Sequence, residues 1–68
     1  MTRNQIIKAA CKLNAKDFMD LMDHNGVATE ILDQDNIMDA NDGYFNVCVD
    51  GLGSGEALLF VDGEFSGL

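Results

Sequence analysis

At 68 residues the chain has room for one small domain, spanning residues 1–68, and a chain of this length buries only about 60% of the surface its unfolded form exposes. Nearly half of it is apolar, proline is absent, and four Phe with one Tyr argue for a packed core over disorder. Twelve Asp and Glu against four Lys and Arg give a formal net charge of −8. That argues against direct binding to nucleic acid and against an anionic membrane surface, because both need basic residues opposite phosphate.

Lys8 and Lys12 interrupt the apolar residues near the N-terminus, so the signal-peptide core of about 7–15 apolar residues is missing. No stretch approaches the roughly 20 apolar residues that span a bilayer. The expectation is a complete cytoplasmic gene product. Cys11 and Cys48 are too far apart for a C-x-x-C motif and read as small buried hydrophobes.

In chain order, Thr2 or Asn4 caps a first helix running to about residue 13. Ile6, Ala10 and Leu13 form its apolar stripe, while Lys8, Lys12 and Lys16 follow one another at four-residue spacing on another face. Asn14 caps a second helix through Asp23, with Phe18, Leu21 and Met22 apolar and Asp17, Asp20 and His24 polar. The pair Asn25-Gly26 stops it. Residues 27–33 read two ways. Val27, Thr29 and Ile31 alternate as in a strand, whereas Thr29 also suits the cap of a third helix through Met38. The strand is preferred, since Asp33, Asp35 and Asn36 sit poorly inside a helix.

From Asp42 onward the period is two, placing Phe45, Val47 and Val49 on one face of a strand and Tyr44, Asn46 and Cys48 on the other. Residues 50–55 form a glycine-rich turn. Ala57 to Val61 is an unbroken apolar run, the pattern of a strand covered on both faces. Asp62-Gly63 then makes a two-residue hairpin turn into residues 64–66. The fold expected is α+β: two N-terminal helices packed on a small antiparallel sheet of two to three strands. The alternative is three helices plus a β-hairpin, a winged-helix-like outline whose reading helix would carry Glu30, Asp33 and Asp35 and no base.

Charge is segregated along the chain. Arg3, Lys8, Lys12 and Lys16 are the four bases, and all precede the first acid, Asp17; the twelve acids all follow the last base. At least eight carboxylates therefore lack a cationic partner within the chain, and their mutual repulsion opposes folding. Solubility is one explanation. The other is a binding surface for a basic partner, built from Asp17, Asp20, Asp23, Glu30, Asp33, Asp35, Asp39 and Asp42. The first three advance three residues at a time, about 4.5 Å of helix axis per step, a spacing compatible with imitating phosphates.

Other chemistry fits less well. Setting Gly43 at the glycine position of an EF-hand loop puts Met38, Ala40 and Val49 where oxygen ligands belong, leaving at most a weak calcium-binding module over residues 33–43. The Gly51–Gly55 segment lacks the third glycine and the lysine of phosphate loops and is flanked by Asp50 and Glu56. His24, the one histidine, reads as a helix C-terminal group. No catalytic residue, metal ligand set or cofactor site is identified, and a domain of this size offers little room for a substrate pocket of about 300 Å³.

The reading is a non-enzymatic acidic interaction protein, a nucleic-acid mimic that occupies the Lys/Arg-rich groove of a larger protein and inhibits it. In size and charge alone it is similar to bacteriophage-encoded proteins that block host nucleases, restriction or CRISPR complexes, or polymerase. The alternative is a self-assembling structural subunit, a homodimer or filament in which the basic helix of one copy meets the acidic body of another.

Overall fold

In the computed structural model, which describes residues 1–32, 43–53 and 55–67, the first helix, α1 (Arg3–Lys12), starts at a capping box. The Thr2 hydroxyl accepts from the Gln5 amide at 3.2 Å and the Gln5 side chain accepts from the Thr2 amide at 2.9 Å, so two otherwise orphaned donors are satisfied. The second helix, α2 (Ala15–His24), is capped by the Asn14 side chain, which accepts from the Asp17 amide at 2.8 Å. Its end is a Schellman motif. Gly26 takes a φ of 70°, its amide donates to the Asp23 carbonyl, and the Val27 amide donates to the Met22 carbonyl at 2.8 Å.

Four strands follow: β1 (Thr29–Leu32), β2 (Tyr44–Val49), β3 (Leu58–Val61) and β4 (Glu64–Gly67). They form one antiparallel meander in the order β1-β2-β3-β4. The α+β architecture stands, but the sheet has four strands where two to three were expected. The fourth is gained because both short flanking segments pair. Thr29 lies opposite Val49 and Ile31 opposite Val47, giving β-branched cross-strand pairs that a third helix would forgo. The winged-helix alternative is thereby overturned at residues 29–32; its remainder, residues 33–38, lies outside the described residues.

The β3–β4 hairpin turns through Asp62 (φ 50°) and Gly63 (φ 86°), the doubly positive geometry that matches strand twist. The buried Gly63 offers its carbonyl to the Ala15 amide at 2.8 Å, so the hairpin tip anchors the first turn of α2. Beyond it, Phe65 pairs with Phe60 but Gly67 pairs with Leu59, which leaves Ser66 as a bulge.

Both helices cover one face of the sheet. Ile6 and Ala10 from α1 and Ala15, Phe18 and Met22 from α2 meet Val47, Val49, Leu58 and Phe60 in a single core. Phe60 is its aromatic centre, with Phe18 at 5.4 Å (tilted) and Phe65 at 6.0 Å (edge-on). Leu52, inside the glycine-rich turn, is buried in the same core. That turn approaches the N-terminus so closely that a Cβ on Gly51 would meet the Met1 carbonyl oxygen at 3.2 Å.

Two further expectations fail. Cys11 is exposed and Cys48 half-buried, because Cys11 lies on the side of α1 turned away from Ile6 and Ala10 and Cys48 lies on the sheet face without helices. Nor is β3 covered on both faces: Leu58 and Phe60 are buried, yet Val61 is 41% exposed. With two helices on the same side of the sheet, nothing among the described residues covers the other.

Candidate acidic interface

On α2 the buried positions 15, 18 and 22 face the sheet, which leaves Asp17, Asp20 and Asp23 exposed. Each three-residue step falls about 60° short of a full turn, so the three carboxylates wind round the outer half of the helix instead of forming a straight row. They form a curved acidic band. Asp20 is paired with Lys16 one turn earlier at 3.1 Å, both side chains mostly in water. Asp17 lies in the first turn, where the helix dipole favours an anion. Asp23 lies in the last turn, where the dipole opposes one. Neither exposure nor local electrostatics gives the fold a reason to keep Asp23.

The sheet carries Glu30 elsewhere. Thr29 and Ile31 share the face of Val49 and Val47, so Glu30, opposite Cys48, points from the uncovered face. Helix α2 lies against β1, and α1 against β4. The α2 carboxylates and Glu30 thus flank the same sheet edge from opposite sides and do not merge into one patch. Asp33, Asp35, Asp39 and Asp42, together with the calcium-loop assignment, lie outside the described residues.

The remaining described acids, Asp50, Glu56, Asp62 and Glu64, lie outside the predicted binding surface. Glu56 pairs with Arg3 at 3.0 Å, tying the start of α1 to the β2–β3 connection. The Asp62 carboxylate accepts from the Gly43 amide at 3.2 Å and so braces the hairpin. Asp50 and Glu64 are exposed. Lys8 and Lys12, also exposed, make no ion pair among the described residues.

Two open hollows mark the surface. One, about 340 Å³, lies between the α1–α2 junction and the hairpin tip and includes Cys11, Lys12, Glu64 and Phe65. The other, about 420 Å³, lies at the end of β1 and β2 and includes Glu30, Cys48 and Asp50. His24 lines neither. Among the described residues, no group of three His, Cys, Asp or Glu is placed to hold a metal ion. No helix there is long and apolar enough to cross a membrane. Comparison with family models, curated proteins and solved structures finds no match.

Proposed function

We propose that the chain is a non-enzymatic interaction protein of the cytoplasm whose acidic surface occupies the Lys/Arg-lined, nucleic-acid-binding groove of a larger protein and inhibits it. The observation that carries this reading is the exposed band of Asp17, Asp20 and Asp23 on a well-capped helix, with one of the three paired. A carboxylate held on rigid backbone loses little entropy on meeting a cation, and uncompensated charge speeds encounter with a basic surface. Nucleases, restriction or CRISPR complexes and polymerases present such grooves.

The test is capture from bacterial lysate at about 0.1 M salt, with elution by duplex DNA and separately by about 1 M salt. The expected result is one nucleic-acid-handling protein released by both, with capture lost when Asp17, Asp20 and Asp23 are changed together to Asn. Undiminished capture by that variant overturns the reading. A second reading, the head-to-tail structural subunit, is favoured by one observation: basic α1 lies against β4 and acidic α2 against β1, the two terminal strands of the sheet. Its signature is a solution mass above the monomer at low salt that falls to monomer at high salt.

A further inference from the structure

Among the described residues, nothing covers the sheet face opposite the helices, which carries Leu32, Tyr44, Leu59 and Val61. Registry places Tyr44 beside Val61 and Asn46 beside Leu59 on this face, with Leu32 next to Asn46 and Cys48 next to Glu30. Tyr44 is 65% exposed, Val61 41% and Leu32 36%, a concentration of large side chains in water. The apolar run from Ala57 to Val61 has the composition of a strand covered on both sides, yet the chain's own helices cover one. From strand spacing, four strands and about six residues of length give a face on the order of 300 Å². Patches of that size on small proteins are often functional.

Charge around this face is of one sign. Glu30 stands at the β1 edge, Glu64 lies beside Val61 at the β4 edge, and Asp50 borders the hollow that also contains Glu30 and Cys48. All four bases belong to residues 1–16, on the helix layer. A second copy stacked face to face would set carboxylates against carboxylates. An anionic membrane meets the same repulsion.

We propose that this face is a docking surface for a partner protein whose contact region is an apolar stripe bordered by Lys or Arg, with Tyr44 as the anchor at one end of the sheet. The stripe packs on Tyr44, Val61, Leu59 and Leu32 while the flanking cations meet Glu30, Asp50 and Glu64. Exposed tyrosine supplies large contact area with few rotors to immobilise, the property of interface anchors. The inference takes the sign of the partner's charge from the basic-partner reading above and adds a second, apolar contact on the opposite side of the domain.

The test uses three synthetic helical peptides as probes: a Leu stripe bordered by Lys, the same stripe bordered by Glu, and a Lys peptide without the stripe. Amide chemical shifts of the full chain report where each binds. The Leu/Lys peptide is expected to shift Tyr44, Cys48, Leu59 and Val61, and the Leu/Glu peptide to leave them unmoved. The substitutions Tyr44→Ser and, separately, Val61→Thr are expected to weaken Leu/Lys binding at least about tenfold for the tyrosine, with melting temperature as the control for folding. Shifts by the Leu/Lys peptide confined to α2, shared with the Lys peptide, overturn the docking face and leave the acidic-band reading standing. Binding by neither overturns both. A dimer in solution that Tyr44→Ser dissociates assigns the face to a second copy and overturns the proposal.

Discussion

Replacing Phe18 tests whether the packing of α2 on the sheet is what holds this domain together. Phe18 is fully buried and its ring lies 5.4 Å from that of Phe60, which in turn contacts Phe65. Truncating such a residue to alanine removes its transfer energy and leaves a cavity, together about 3–5 kcal/mol. A 68-residue chain at typical specific stability has roughly 3–10 kcal/mol in total. Phe18→Ala is therefore expected to be largely unfolded in water or to keep a small fraction of the parent stability. Urea titration followed by far-UV circular dichroism reads this directly, with a slope near about 1 kcal/mol/M for so small a domain. The gentler Phe18→Leu and Phe60→Leu, singly and together, should show an interaction energy of about 0.5–1.5 kcal/mol, the aromatic term beyond area. A Phe18→Ala midpoint within about 0.5 M of the parent would refute the reasoning, because the core would then not depend on that helix.

Three further substitutions or conditions follow from the geometry. Gly63→Ala forces a side chain into φ 86° at the hairpin tip that anchors α2, and is expected to cost about 1–2 kcal/mol by thermal unfolding. Asn14→Ala removes the cap that satisfies the Asp17 amide and should cost about 1 kcal/mol, recovered in large part by Asn14→Asp. Raising salt from about 0.01 M to 0.5 M should increase the melting temperature, since screening relieves the self-repulsion of a chain at −8 more than it weakens the exposed ion pairs Arg3–Glu56 and Lys16–Asp20; a fall would show that attractive charge contacts outweigh the repulsion.

Whatever depends on near neighbours in the chain could be read from residue order. Thr2, Gln5, Asn14 and Gly26 specify both helices because caps are made within four residues, and Asp62-Gly63 specifies its turn because few other pairs adopt two successive positive φ values. The separation of bases from acids is likewise a property of order, and with it the expectation of a basic partner. Tertiary structure decided three things that local pattern leaves open. It committed residues 29–32 to a strand through pairing with Val47 and Val49, the reading that local pattern preferred while leaving a helix open. It divided Asp17, Asp20 and Asp23 from Glu30, since period 3.6 on α2 and period 2 on β1 aim their side chains to opposite sides of one sheet. And it left Tyr44 and Val61 in water, because a run of apolar residues records that both faces of a strand favour cover but not whether the same chain has an element to supply it.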